Sequence, residues 1–362
     1  MARYIRRSLA PAAVGWLLAA LVAPSAAVAN MAAPWTPGDA AGEPSAQLAG
    51  VVIESEDLTI DLRPLHEGHA ARVHATYHLR NDEAQKTVEL VFVAPGLDAG
   101  GATAPAVSLD GEAVQYEVVQ SGGLPWAPPS HTPRIGGGQL DYRAHGDGEL
   151  RFKLTIPNGR HAVSVEYSAT AASDSTGASP TRAWQFAYVL SPAREWPGFG
   201  TLNVSVALPS GWPVASEPPL ERQGDTLTGT FERIPADALA ITTRAPAPPI
   251  GLLQPLAVAL VLGAGLLLAW WGGRALARRG RRTLWLLPVS ILYALFAPVL
   301  MIIAMQLVSG LVPQSQRAIG ADYGPIFFVL LLSPLIALAV VIAMQMVAAI
   351  AGRRTAVTRR LD

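Results

Sequence analysis

APAPPIGLLQPLAVALVLGAGLLLAWWGGR, residues 245–274, divides this chain into two halves with different physics. The run Ala245-Pro246-Ala247-Pro248-Pro249 ends whatever regular structure precedes it, because proline lacks an amide donor and disfavours helix at the residue before it. From Gly251 to Gly273 no side chain ionises, a run longer than the ~20 residues needed to cross ~30 Å of hydrocarbon. Two more uncharged segments follow, Thr283 to Gln316 and Gly324 to Gly352. The expected spans are about 251–273, 284–312 and 324–351, within a membrane region at 250–352. Arg274, Arg278, Arg279, Arg281 and Arg282 fill the first connection and Arg353, Arg354, Arg359 and Arg360 follow the last span, whereas the second connection holds only Arg317 and Asp322. The positive-inside bias therefore puts the first connection and the tail 353–362 in the cytoplasm.

The other end of the chain leads to the same orientation. Arg3, Arg6 and Arg7 precede an apolar stretch from about Ala12 to Ala23, then Pro24 and small residues ending Ala27-Val28-Ala29. That order reads as a secretory signal peptide over 1–29, with cleavage between Ala29 and Asn30. An odd number of spans then leaves residues 30–249 outside. The net charge of zero conceals this division: residues 30–249 hold 25 acidic and 14 basic side chains, and the rest of the chain holds 13 Arg and two Asp. With 51% hydrophobic residues, the composition suits a membrane protein.

Residues 30–249 read as strands broken by turns. Val51–Ile53, Leu58–Leu62, Arg72–Leu79 and Thr87–Val93 are short, β-branched and partly alternating. Asp110-Gly111 predicts a hairpin between Ala106–Leu109 and Val114–Val118, and Asn158-Gly159 another between Phe152–Ile156 and Val163–Tyr167. Gly224-Asp225 predicts a third, and further strands are expected at Trp184–Leu190 and Leu202–Leu208. The fold class expected is a mainly β ectodomain, an antiparallel β-sandwich of one or two units, followed by an all-α membrane domain of three transmembrane helices. The Gly- and Pro-rich stretch 121–138 is where two units would part.

Glu54-Ser55-Glu56-Asp57-Leu58-Thr59-Ile60, then a strand ending Tyr77-His78-Leu79-Arg80-Asn81, then Val91-Phe92-Val93-Ala94-Pro95, resembles the start of a family of exported bacterial proteins of unknown function. Leu190-Ser191-Pro192-Ala193-Arg194-Glu195-Trp196 is similar to a later part of it. The resemblance covers about a third of the chain, and the multi-span tail departs from it. It implies an extracytoplasmic β domain and supplies no activity.

Cysteine is absent, which excludes disulfides, thiolate metal sites, cysteine nucleophiles and a cysteine-linked lipid anchor. His66, His69, His74 and His78 invite a zinc or copper reading, but His66-Glu67-Gly68-His69 is one residue short of the helical His-Glu-x-x-His pattern. His74 and His78 stand about 13 Å apart along an extended strand. Glu54, Glu56, Asp57 and Asp61 form an acidic cluster without a calcium loop around it. No cofactor and no metal site is expected. Neither a Gly-x-Ser-x-Gly elbow nor a phosphate-binding Gly-Lys loop occurs, and an acidic exported domain is a poor nucleic-acid binder.

Trp184, Phe186 and Tyr188 alternate as a core face would. Trp196-Pro197-Gly198-Phe199-Gly200 and Trp126-Ala127-Pro128-Pro129 instead place aromatics in loops, where they commonly anchor protein contacts, so Trp126, Trp196 and Phe199 are the candidate partner surface. Ala259 with Gly263 and Ala339 with Ala343 have the spacing of helix-packing seams. The expectation is a non-enzymatic, multi-pass envelope protein in the cell membrane, binding or scaffolding an extracytoplasmic or membrane protein partner. An accessory subunit of a transport or sensing complex is the alternative, and a cryptic metal-binding protein or hydrolase the third reading.

Overall fold

The computed structural model describes residues 30–34, 45–100, 103–120, 126–143, 147–175, 179–247, 250–279, 281–318 and 323–361. The expected signal peptide, including Ala29, and part of the 121–138 stretch lie outside the described residues. In chain order the strands are β1 (Met31–Ala32), β2 (Val51–Asp61), β3 (Ala71–Asn81), β4 (Lys86–Pro95), β5 (Ala106–Leu109), β6 (Glu112–Ala113), β7 (Tyr116–Gln120), β8 (His131–Pro133) and β9 (Gln139–Asp141). They continue as β10 (Asp147–Ile156), β11 (Gly159–Ala169), β12 (Ala172–Asp174), β13 (Ala183–Val189), β14 (Phe199–Ala207), β15 (Val214–Glu217), β16 (Glu221–Gln223), β17 (Thr226–Phe231) and β18 (Ala238–Arg244). Four helices follow: α1 (Ile250–Arg278), α2 (Leu287–Ser309), α3 (Tyr323–Leu331) and α4 (Ser333–Leu361).

The largest sheet has eight strands in the order β16-β17-β14-β2-β3-β11-β5-β6, and two four-stranded sheets run β1-β4-β10-β7 and β12-β13-β18-β15. Strand alternation turns Leu58, Ile60, Val73, Ala75 and Tyr77 of the large sheet inward, against Leu90, Phe92, Leu150 and Phe152 of the sheet containing β4. One core cluster takes residues from both sides of the 121–138 stretch, from Met31 to Ala245.

The pairing corrects several expectations. The large sheet is not purely antiparallel, because β14 runs parallel to β2, with Val204 opposite Leu58. Val51–Ile53 and Leu58–Asp61 belong to one strand, interrupted by a register shift between Ile53 and Ser55. Gly200 packs against this irregularity, where a side-chain carbon would lie 2.0 Å from the Glu54 carbonyl oxygen. Asp110 and Gly111, at φ 52° and 84°, do make a tight turn of the left-handed type. That hairpin closes only on Glu112–Ala113, while β7 leaves to pair with β10 in another sheet.

Asn158-Gly159 does not form a hairpin. β10 pairs with β4 and β7, and β11 pairs with β3 and β5, so the turn carries the chain from one sheet to the other. Backbone groups released at such a crossing need other partners. The Asn81 side-chain amide donates to the carbonyls of Ala84 (3.1 Å), Ile156 (3.1 Å) and Pro157 (3.0 Å), and its oxygen accepts from the Glu83 amide. Asn158 donates in return to the carbonyls of Asn81 and Glu83. The Gly224-Asp225 turn does close a hairpin, pairing Gln223 with Thr226.

Among the described residues, three helical segments are long and apolar enough to cross a membrane: Leu253–Arg278, Thr283–Ser309 and Ser333–Arg353. The expected third span from 324 is divided at Leu332 into α3 and α4, just before Pro334, whose ring removes a helical amide donor. The packing seam is also displaced from the one expected. Ala259 and Ala339 are exposed, and a side-chain carbon at Gly263 would meet nothing within 4 Å. Gly265, Ala269 and Gly273 line the seam instead, and at Gly273 a side-chain carbon would lie 2.5 Å from the Ala348 carbonyl oxygen. The three residues serve two neighbours: a side-chain carbon at Gly265 would lie 2.4 Å from the Tyr293 ring of α2, whereas Gly273 lets the backbones of α1 and α4 meet. Two interhelical amide-to-hydroxyl bonds, Gln254 to Ser309 (3.2 Å) and Gln345 to Ser290 (2.9 Å), fix the register.

Candidate functional site at the junction of strands and helices

The connection between α2 and α3 rises from the helices into the β half. Gln316 is 1% exposed. Its side-chain amide donates to the carbonyls of Leu65 (2.7 Å) and His66 (2.6 Å), and its oxygen accepts from the Trp184 indole at 3.2 Å. A primary amide has two donor protons and an accepting oxygen, and here all are used. The neighbouring backbone pairs as a strand fragment would: Thr181 bridges Arg317, the Arg182 amide donates to Gln316, and the Ala318 amide donates to Pro180.

Two side chains reinforce the clasp. Arg182 donates to the Arg317 carbonyl at 2.9 Å and lies 5.3 Å above the Trp184 ring, an arrangement that favours a cation. Burial pulls the Arg182 guanidinium below its ordinary value. Thr181, buried, donates through its hydroxyl to the Ala245 carbonyl at 3.0 Å. The residue that opens the proline run is thus tied to the strand segment that holds the α2–α3 connection.

A cleft of about 560 Å³ adjoins this clasp, lined by Arg63, His66, Glu67, His69, Arg72 and Asp98 among others. The short helical turn Arg63–His66 forms one wall, and the Gly68 backbone approaches Ser315 on the other side, with 3.0 Å from a built side-chain carbon to the Ser315 Cβ. Arg63 is engaged by Asp61 at 2.8 Å, and His69 by Glu67 at 3.4 Å. The Arg63 hydrogen bond holds the Asp61 carboxyl below its usual range. The cleft therefore presents both signs of charge.

The histidines pair separately with acidic side chains. His74 pairs with Glu166 (2.8 Å), His78 with Asp57 (3.0 Å) and His161 with Asp110 (2.7 Å). Among the described residues, no group of three His, Asp or Glu side chains converges as metal ligands would. The acidic cluster also separates, because alternation and the irregularity in β2 send its members to different places. Glu54 faces out between Arg80 and Arg160, and its hydrogen bond from Arg160 lowers its carboxyl from the ordinary value.

Glu56 goes inward. It is 0% exposed, accepts from the Tyr188 hydroxyl at 2.8 Å, and its second oxygen has no partner. The Tyr77 and Tyr188 hydroxyls bond at 2.9 Å, and Phe92 stacks edge-on against Tyr188 and Tyr167. Burial pushes the Glu56 carboxyl up to about 7 against the opposing hydrogen bonds of the two tyrosines. Tyr77 and Tyr188 are raised by the same burial and by the nearby carboxylate.

Two of the three aromatics expected at a partner surface are buried, which corrects the exposure assigned to them. Trp196 is 3% exposed and its indole donates to the Met31 carbonyl, and Trp126 is 6% exposed in a cluster with Ala32, Val93 and Val189. Phe199 is half-buried against the main core. Proline and glycine do force these segments out of regular structure, but the loops fold back over the sheet edges and carry their apolar rings with them. Sequence reading missed Gln316, Arg182 and Thr181. They lie in a polar connection and a pre-strand segment with no motif, so only their shared position reveals them.

No protein-family model and no curated protein matches the chain. Solved structures with partial likeness include a proposed nutrient-binding protein from Legionella pneumophila, at 15% identity and TM-score 0.37, covering 63% of this chain and 77% of that one. A leukotriene A4 hydrolase of yeast matches at 13% identity and TM-score 0.35, covering 67% of this chain and 34% of that one. An M1 zinc metallopeptidase from Deinococcus radiodurans matches at 15% identity and TM-score 0.27, covering 55% of this chain and 44% of that one. The chain spans less than half the length of these two enzymes. Enzymes thus stand among the neighbours, against the sequence-based expectation that the chain is not an enzyme. Likenesses of this size carry no active site, substrate or cofactor across.

Proposed function

We propose that this is a multi-pass envelope protein whose β domain, residues 30–249, is a β-sandwich held outside the membrane and engages an extracytoplasmic or membrane protein partner. Cleavage between Ala29 and Asn30 removes the leader, three spans within 250–352 insert in the bilayer, and residues 353–362 lie in the cytoplasm. The observation that carries this reading is the burial of Gln316 in the β half. That burial supports a topology in which the α2–α3 connection and the β domain lie on one side of the bilayer. The distribution of arginines independently assigns that side to the exterior. Two large sheets contributing inward faces to one core support the sandwich.

The same clasp favours a second reading, an accessory subunit of a transport or sensing complex. A connection bonded to the β domain makes any tilt of α2 or α3 felt at the cleft beside His66, and occupancy of that cleft would act back on the helices in equal measure.

The test uses the absence of cysteine. Gln314→Cys and Arg281→Cys are labelled in intact cells with a membrane-impermeant maleimide. Labelling at position 314 alone supports the topology, and labelling at 281 overturns it. A photo-crosslinker at His69 in native membranes should recover a discrete extracytoplasmic adduct. Recovery of nothing above background with confirmed surface topology would remove the partner-binding claim.

A further inference from the structure

One end of the helical half collects charge that the chain does not balance. Residues 250–362 hold ten arginines against two aspartates, Asp322 in the α2–α3 connection and Asp362 at the terminus. Helix packing brings three of these arginines together from separate segments. A side-chain carbon at Gly352 of α4 would lie 3.1 Å from Thr283 Cγ2 and 3.8 Å from Ala277 Cβ of α1. Each of these positions has an arginine as its chain neighbour: Arg353 follows Gly352, Arg278 follows Ala277 and Arg282 precedes Thr283. The reversal that closes α1 makes the meeting possible, because the Arg281 amide donates to the Leu276 carbonyl at 3.0 Å and returns the chain to the helix end. The short turn Thr283–Leu286 then packs against both α1 and α4.

Arg278, Arg282 and Arg353 are exposed, and among the described residues the guanidinium groups of Arg282 and Arg353 make no hydrogen bond or ion pair. Like charges held side by side repel, and an anion between them removes the cost. The C-terminus of α1 supplies only about half a negative charge. Two neighbouring arginines rest on indoles, Arg274 at 5.9 Å from the Trp270 ring centre and Arg281 at 5.8 Å from that of Trp285. A guanidinium stacked in this way keeps its N–H edge for a phosphate. The rim is apolar, with Trp271 73%, Leu284 64% and Trp285 67% exposed. Exposed apolar side chains beside unbalanced cations suit a ligand with an anionic head and an apolar body.

We propose that Arg278, Arg282 and Arg353 form a binding site for the phosphate-bearing headgroup of an anionic membrane lipid, with Leu284 and Trp285 against its acyl chains. This rests on the insertion of the spans in a bilayer stated above, and not on which side each end faces. Arginines from α1, from the turn before α2 and from α4 each offer forked N–H donors to one tetrahedral anion. Free inorganic phosphate has the same head chemistry but gains nothing from the apolar rim, so the lipid is the occupant assigned. The bound lipid would join three segments at the end of the helices opposite the Gln316 clasp. General attraction to an anionic leaflet depends on how many arginines are present, whereas a site depends on which ones.

That difference is the basis of the test. The full chain is purified in neutral detergent, and lipid retention is read by native mass spectrometry with dioctanoyl phosphatidylglycerol, dioctanoyl phosphatidylcholine and inorganic phosphate as separate probes. The expected result is a single retained phosphatidylglycerol, with phosphatidylcholine held about tenfold more weakly. The triple variant Arg278→Gln, Arg282→Gln, Arg353→Gln should lose that preference. A control triple, Arg279→Gln, Arg359→Gln, Arg360→Gln, removes the same charge and should keep it. Equal loss in the two triples overturns the site and leaves diffuse attraction alone. Phosphatidylcholine held as tightly as phosphatidylglycerol overturns the anionic headgroup, and displacement of the lipid by inorganic phosphate overturns the lipid as occupant. Should the first triple fail to fold, Arg282→Gln with Arg353→Gln against Arg359→Gln with Arg360→Gln decides in the same way. Insertion of the spans is read separately, by resistance of the chain to alkaline extraction from membranes, so its failure is distinguishable from failure of the lipid site.

Discussion

Glu56 and Asn81 carry the two clearest single-residue tests. The Glu56 carboxyl is raised to about 7 by burial, so the folded state holds its proton more tightly than the unfolded chain. The stabilisation from this group is complete below the ordinary carboxylate value and is lost as pH rises through about 7, the opposite of a salt-bridged acid. Converting the shift at 1.36 kcal/mol per pH unit gives an effect of about 3 kcal/mol. The melting temperature followed by tryptophan fluorescence should fall between pH 5 and pH 8, and Glu56→Gln should flatten that fall. An equal fall in both proteins would refute the assignment. Asn81→Ala removes an amide bonded to three carbonyls at the sheet crossing, with an expected cost of about 2–3 kcal/mol, read from denaturant unfolding. The chain's alternation pointed Glu56 inward no more than any other member of its acidic run. Its burial depends on the irregularity after Ile53 and on Tyr188, 132 positions away.

Elements were legible where their periodicity was local. The strands of residues 51–93 and the Gly224-Asp225 hairpin follow from alternation and turn chemistry. Asn158-Gly159 has the same turn chemistry yet changes sheets, because dihedral preference describes a bend and not what the strands beyond it will pair with. The helices repeat the lesson. Spacing of small residues occurs at Ala259 and Gly263 and again at Gly265, Ala269 and Gly273, but one stripe alone meets a neighbour. Gly273→Val should therefore lower the detergent-solubilised melting temperature by several degrees, in line with ~1–3 kcal/mol for overpacking, while Gly263→Val leaves it within error. Loss at both positions, or at neither, would contradict the seam described.

At the scale of the whole molecule, the clasp between Gln316 and the strands makes the β and helical halves one mechanical unit. In the cysteine-free chain, Thr181→Cys with Arg317→Cys should form a disulfide on mild oxidation, since an antiparallel bridge brings such pairs within bonding range. Adding Gln316→Ala, which deletes the amide that reaches Leu65 and His66, should slow that crosslink severalfold. An unchanged rate would show that backbone pairing alone holds the connection. The amino-acid order by itself determined the division at Ala245, the uncharged spans and the arginine asymmetry, because hydrophobic length and charge act residue by residue against a solvent of known thickness. It also determined that the first half is built of strands. Tertiary structure decided which turns change sheets, which aromatic rings are buried, and that Gln316 and Glu56 are buried against partners distant in the chain. Those outcomes depend on partners far apart in the chain, and pairing across such distances is set by the packing of whole sheets, which no local pattern encodes.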